Sequence, residues 1–322
     1  MAVKFGVFVP QGWKMDLAGI ADPVEQYETM TRVAQAADEL SYDSIWVYDH
    51  FHTVPTPTIE TTFEAWSITA GLVRDTRRIK VGQMVTCNGY RNPALLAKIA
   101  STVDVMSHGR LICGLGAGWY EHEWRAYGYG FPEVKDRMGA FREACEIVHR
   151  MWTEDRPVFN GKYYSINGPI NQPKGARKPH PELWLGGGGE KVTLKLVARW
   201  ADGCNFGGGN PETIRQKIEI LRGHCAEIGR DIGEITISTS TQDVYLLGDG
   251  ESPDELPSWA QGKMDPELYR RHIRALTADQ LAAKIEAAVA AGANYIIVYM
   301  AGLAYDPSQL RRFAETIIPR FS

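Results

Sequence analysis

Paired cysteines are missing from this sequence. Its five cysteines (Cys87, Cys113, Cys145, Cys204 and Cys225) stand singly, an odd number with no Cys-x-x-Cys spacing. That excludes a disulfide framework and a cysteine zinc site, and it fits a reducing, cytoplasmic setting. No apolar run approaches the roughly 20 residues that a membrane-spanning helix needs, so no membrane partner is expected. Positive charge is not in surplus either: the formal net charge is -4, and no Lys/Arg stretch alternates with aromatics as a nucleic-acid surface would require. The opening segment, residues 1–10, is apolar but lacks the basic lead-in and small-residue cleavage site of a signal peptide, and it reads as a first buried strand.

What is present is the material for one large core. Hydrophobic residues make up 44% and charged residues 23% of 322 positions, a composition typical of a folded globular chain and unlike a disordered one. Short β-branched or aromatic runs alternate with longer amphipathic stretches from end to end, the pattern of repeated βα units. Eight strands are predicted: 4–9, 44–48, 79–85, 111–115, 183–186, 203–206, 235–247 and 295–300. The helices fall at 24–40, 63–74, 93–107, 137–152, 193–200, 211–228, 278–291 and 307–318. Eight units favour closure into a single (β/α)8 TIM barrel over residues 1–322; an open doubly wound sheet is the alternative, but the first turn lacks its glycine fingerprint.

Two stretches interrupt the rhythm. Residues 156–181 contain Asn160-Gly161 between two apolar-aromatic runs, a hairpin signal. Residues 249–272 are acidic and carry proline. Both are expected to lie between a strand and the next helix, over the carboxyl ends of the strands where barrel enzymes keep their active sites.

The strand ends supply the candidate chemistry. Strand two ends in Asp49-His50-Phe51-His52, and an imidazole titrates near enough to neutrality to move protons there. His50-x-His52 also resembles the first ligand pair of metal-dependent barrel hydrolases, but strands five, six and eight end in glycine, Asn205-Phe206 and Tyr299-Met300, so the ligand set is incomplete and no metal is expected. Strand five runs into Gly186-Gly187-Gly188-Gly189 just before a helix, which lets backbone N–H groups approach a phosphate, with Lys191 and Lys195 nearby. Strand four ends in Gly114-Leu115-Gly116-Ala117-Gly118-Trp119-Tyr120, where glycines could admit a flat ring beside Trp119, or simply pack.

Four segments in order carry a resemblance: Tyr42-Asp-Ser-Ile-Trp-Val-Tyr-Asp-His50, Val81-Gly-Gln-Met-Val-Thr86 with Arg91-Asn-Pro93, Ser107-His-Gly-Arg-Leu-Ile-Cys-Gly-Leu-Gly-Ala-Gly-Trp119, and Pro181-Glu-Leu-Trp-Leu-Gly-Gly187. Over almost the whole chain the sequence resembles the luciferase-like monooxygenase superfamily, and more narrowly its branch using the deazaflavin coenzyme F420. The resemblance implies a cofactor ring lying across the barrel mouth, with Asp49 hydrogen-bonding it and His50 acting near the substrate as acid or base. It further implies a non-proline cis peptide at Met84-Val85, a lining of ring, tail and phosphate by Thr86, Cys87, Asn88, Gly118, Trp119, Gly187, Gly188 and Gly189, and a substrate against Trp13, Phe51 and Trp119. Members of the family are often homodimers. The order Asp49-His50-Phe51 looks like the F420 branch, whereas luciferase has Glu-His-His there, so hydride transfer to a small organic substrate is expected; the alternative is an FMN monooxygenase inserting oxygen, and a more distant one is a cofactor carrier without turnover. Sugar-phosphate dehydrogenases of the branch carry Glu where this chain has Trp119, which points to a more apolar or aromatic substrate.

Overall fold

The computed structural model describes residues 2–262 and 265–322. Its strands, in chain order, are β1 (Lys4–Phe8), β2 (Ser44–Val47), β3 (Lys80–Gln83), β4 (Thr86–Cys87), β5 (Leu111–Gly116), β6 (Val158–Asn160), β7 (Ser165–Asn167), β8 (Glu182–Gly186), β9 (Gly203–Asn205), β10 (Thr236–Leu246), β11 (Arg274–Leu276) and β12 (Tyr295–Met300). The helices are α1 (Pro23–Glu39), α2 (Ala65–Asp75), α3 (Pro93–Met106), α4 (Glu121–Ala126), α5 (Val134–Thr153), α6 (Thr193–Trp200), α7 (Pro211–Glu227), α8 (Pro266–His272), α9 (Ala278–Ala290) and α10 (Ser308–Thr316). Hydrogen bonds run in the order β1-β2-β3-β5-β8-β9-β10-β12, and β12 pairs back onto β1 with Lys4 opposite Tyr295 and Val7 opposite Val298. Eight parallel strands therefore close into a (β/α)8 barrel, as the eight sequence units predict. Among the described residues no helix is long and apolar enough to cross a membrane.

Local sequence explains where the helices begin. Asp22-Pro23, Asn92-Pro93 and Asn210-Pro211 each place an Asx N-cap before a first-turn proline, and each Asx side chain accepts a backbone N–H of the first turn. Thr277 and Gln280 form a reciprocal capping box at the start of α9.

The barrel interior is packed by aromatics for which glycines make room. A Cβ on Gly6 or Gly82 would come within 2.5 Å of the Trp46 indole, and one on Gly203 within 2.5 Å of that of Trp184. Trp46 and Trp184 are fully buried with ring centroids 5.0 Å apart, and Tyr295 meets Trp184 edge-on. Truncating such a buried indole typically costs about 3–5 kcal/mol. This aromatic plug leaves the carboxyl end of the barrel as the place for a ligand.

The two interruptions depart from expectation. Residues 156–181 connect α5 to β8, a helix-to-strand link, so the segment starts and ends at the amino ends of the strands. The hairpin forms there, with Phe159 opposite Ile166. It reaches the other end only by climbing along α5, where the Glu143 carboxylate accepts the backbone N–H groups of Lys162, Tyr163 and Tyr164, and the Tyr164 hydroxyl meets Asn88 Nδ2 at 3.2 Å. The second interruption does follow a strand, β10, but α8 and Trp259 pack with Tyr245, Ala301 and Tyr305 at one side of the rim; residues 263 and 264 of it lie outside the described residues.

Candidate active site

The carboxyl ends of β1, β2, β3, β5, β8 and β9 surround a cavity of about 910 Å³. Of the residues expected at the site, Trp13, Asp49, His50, Met84, Val85, Cys87, Gly118, Trp119 and Gly187 to Gly189 line it. Thr86, Asn88 and Phe51 do not. Thr86 is fully buried and accepts the indole N–H of Trp66, Asn88 turns to Tyr164, and the Phe51 ring packs at 4.6 Å on Tyr90 and 4.4 Å on Tyr127. Each neighbours a lining residue in sequence, but its side chain is taken up by other partners: Thr86 in a strand, Asn88 at the start of a short 3-10 turn, Phe51 in the bend after β2.

The floor is built around an interruption of strand three. Pairing stops between β3 and β4 at Met84-Val85, whose peptide bond is cis. Val85 then projects into the barrel, and two glycines receive it: a Cβ on Gly116 would meet a Val85 methyl at 2.5 Å, and one on Gly186 at 2.8 Å. The glycines at the ends of β5 and β8 are thus required by close approach, and they leave an apolar floor.

On one side of the cavity the polar groups are densely bonded. Both Asp49 oxygens are engaged, Oδ2 by the Cys87 N–H (2.8 Å) and Arg91 (2.6 Å), Oδ1 by Arg91 (2.9 Å). Arg91 also pairs with Glu64, the N-cap of α2. Burial pushes the Asp49 carboxyl above the usual carboxylate range, against the opposing pull of Arg91. Burial likewise pushes the Cys87 thiol up to about 12, so this cysteine stays a neutral lining group.

His50 is 8% exposed. Its Nδ1 lies 2.9 Å from Glu123 Oε2, and the ring stacks on Trp13 at 5.1 Å and 22°. Trp119 meets it edge-on at 6.1 Å and is itself 65% exposed at the cavity mouth. Glu123 is fully buried; besides His50 it accepts the Tyr90 hydroxyl (2.9 Å) and the Phe51 N–H (2.8 Å). Burial alone would raise its carboxyl, but the hydrogen bonds and charge from His50, with those from Phe51 and Tyr90, hold it below the usual carboxylate range.

On this side of the cavity, Glu123 and Arg91 are residues that sequence reasoning missed. Arg91-Asn-Pro93 was legible as a motif without a role, and Glu123 sits in α4, a six-residue helix with no apolar period to reveal it. The two histidines of the His50-x-His52 spacing take different hydrogen-bond partners: His52 Nδ1 meets the Thr53 carbonyl at 3.1 Å and its Nε2 meets His122 at 3.2 Å. Among the described residues no cluster of three or more His, Cys, Asp or Glu is placed to hold a metal.

The opposite side is backbone. Gly187 has a φ of +111°, a conformation that favours glycine, and the segment 187–192 leads into α6, whose first-turn N–H groups have no side-chain cap. A cation missed in the sequence, Lys217 of α7, lines this side and pairs with Glu190 at 2.7 Å.

The chain is similar to several known proteins. An F420-dependent glucose-6-phosphate dehydrogenase of Amycolatopsis mediterranei (strain U-32) is 26% identical over 323 residues, covering 90% of this chain and 93% of that protein. An FMNH(2)-dependent dimethylsulfone monooxygenase of Pseudomonas putida is 28% identical over 186 residues, 56% of this chain and 50% of that one. Among solved structures, an F420-dependent secondary alcohol dehydrogenase in complex with an F420-acetone adduct superposes with a TM-score of 0.77 over the whole of both chains at 21% identity, which bears on the fold. The family model for luciferase-like monooxygenases matches residues 3–294, and the chain belongs to that family.

Proposed function

We propose that this protein is an F420-dependent oxidoreductase that exchanges a hydride with a small organic substrate of apolar or aromatic character. The observation that carries the reading is the division of one cavity into two walls: His50, a proton-transfer group, on one side and a glycine cradle leading into a helix start on the other. A cofactor with a flat ring and a phosphate-bearing tail fits that division. The floor is apolar, because the Val85 methyls occupy the space that Cβ atoms on Gly116 and Gly186 would take, and a Cβ on Gly188 would already come within 3.3 Å of the Lys217 side chain. Gly187 to Gly189, with the first N–H groups of α6, would hold the phosphate, and Lys217 and Lys191 would supply positive charge.

Bound deazaflavin supplies hydride exchange at its C5 and reacts little with oxygen. The protein's own part is then to bind, orient and move a proton. His50 takes or returns the proton at the substrate oxygen. Trp13 fixes the plane of the imidazole by stacking, and Trp119 offers an exposed aromatic wall to the body of the substrate. Asp49 is best read as a tie: its carboxylate holds Arg91 and the Cys87 N–H, locking the end of β2 to β4, so any contact it makes to a ring is additional. The partial match to an FMNH(2)-dependent enzyme keeps FMN monooxygenation as the second reading.

The test is an anaerobic assay of F420 against a panel of aromatic and aliphatic alcohols and ketones, followed by the cofactor's absorbance. A substrate-dependent change without oxygen is expected. Turnover seen only aerobically with reduced FMN would replace this reading by the second one.

A further inference from the structure

The hydrogen bonds around Glu123 constrain where the proton of His50 sits. Its Oε1 faces two backbone donors, the N–H of Phe51 at 2.8 Å and that of His52 at 3.4 Å, and these can only donate. Its Oε2 faces two groups that can reverse their roles, the Tyr90 hydroxyl at 2.9 Å and His50 Nδ1 at 2.9 Å. A carboxylate only accepts, so with Glu123 ionised both must donate. In the neutral imidazole the hydrogen is then on Nδ1, and Nε2 is left with its lone pair.

The remaining groups around the ring do not impose the opposite choice. From the loop after β1 comes Trp13, an indole stacked on the face; from the end of β2 come Tyr48, also stacked, and Asp49, whose oxygens are taken by Arg91 and the Cys87 N–H. The segment before α4 presents Trp119 and Tyr120 edge-on at 6.1 Å, and the Tyr120 hydroxyl is spent on the Pro55 carbonyl. His52 and His122 bond each other. Among the described residues, Glu123 is the ionisable side chain in hydrogen-bond contact with the ring.

We infer that Glu123 is the positioning residue of this site: it fixes the tautomer of His50 so that Nε2 enters the cavity as a proton acceptor. The inference rests on the reading of His50 as the proton-transfer group. In the direction of substrate oxidation, the substrate O–H bond breaks and an N–H bond forms at Nε2, while the hydride on the adjacent carbon passes to the deazaflavin. The imidazolium so formed keeps its Nδ1–H on the Glu123 carboxylate, which stabilises the charge. Reduction of a carbonyl runs the same steps in reverse. A residue that never touches substrate thereby selects substrates whose hydride loss is paired with loss of an O–H proton.

A sharp consequence attaches to Glu123→Gln. The amide has one acceptor oxygen, and the fixed N–H donors of Phe51 and His52 claim it, so the NH₂ group turns toward Tyr90 and His50. The tyrosine hydroxyl can rotate to accept. His50 must then accept at Nδ1 and carry its hydrogen on Nε2, the inverted tautomer.

The experiment is ¹⁵N NMR of the full-length protein with labelled histidine, on the alkaline side of the imidazole titration, with the His50 signal assigned by its loss in His50→Ala. The parent should show a protonated Nδ1 and a bare Nε2, and Glu123→Gln the reverse. With a substrate found in the anaerobic screen, Glu123→Gln should lose about 10³–10⁴-fold in kcat/KM, the scale of a histidine base held in the wrong tautomer, with F420 affinity changed by less than about threefold. Glu123→Asp retains two acceptor oxygens and should keep the parental tautomer and an intermediate rate. A parent protein with hydrogen on Nε2 overturns the inference without any variant having to fold, as does a Glu123→Gln variant with an unchanged tautomer. Inversion with an unchanged rate would uphold the tautomer assignment and overturn instead the role of His50.

Discussion

The ends of β2 and β8 face each other across one cavity and are built on opposite principles. At β2 the polar side chains hold one another: Asp49 bonds Arg91 and Cys87, His50 Nδ1 meets Glu123, and Glu123 in turn accepts from Tyr90 and Phe51. At β8 the side chains are gone, and what remains is Gly186 to Gly189 with the uncapped start of α6. The first wall is set before any ligand arrives, because buried charges are tolerated only when paired, and removing one partner of such a pair costs about 3–5 kcal/mol. Preorganised side chains suit a wall where a proton must move, and bare backbone suits a wall that must fit around a ligand.

That contrast breaks most visibly at His50. His50→Ala should cut turnover by about 10²–10⁴-fold while leaving cofactor affinity within a few-fold, so that binding and rate separate. Cofactor titration, thermal melting and single-turnover rates on one preparation check this; a variant that binds, melts normally and turns over at the parent rate would move the proton chemistry away from β2. A smaller effect is expected on the opposite wall. Gly188→Val should weaken cofactor binding by about tenfold, or about 1.4 kcal/mol, because its side chain would hold the backbone off the ligand and crowd Lys217. The chemical step of cofactor-saturated enzyme should change little, and undiminished affinity in a folded variant would place the phosphate elsewhere.

The two walls were also unequally legible in the sequence. Strand ends such as Tyr48-Asp49-His50 and Trp184-Leu185-Gly186 could be read because β-branched and aromatic runs mark the strands, and because a barrel puts its chemistry at their carboxyl ends. Glycine at Gly187 to Gly189 carries its meaning in its identity, so the wall proposed to bind the phosphate was visible. The partners of His50 and Asp49 on the opposite wall were not. Glu123 lies in Glu121-His-Glu-Trp-Arg-Ala126, which reads as a polar surface turn, and its burial is created only when α4 folds over Phe51 and Tyr90. Thr86 and Asn88 were placed in the site by the family resemblance, yet a side chain's face depends on local backbone that such a resemblance does not give. The hairpin at 158–167 was recognisable from Asn160-Gly161, whereas its side of the barrel depended on counting it after a helix.

A cavity that takes a deazaflavin, with its phosphate on the β8 wall and its ring facing His50, must prefer that cofactor to FMN, and fluorescence titration of the purified protein with F420 and FMN in parallel measures the preference. F420 should bind at about micromolar concentration or tighter, and FMN at least about tenfold more weakly; FMN binding as tightly as F420, or more tightly, would contradict the assignment.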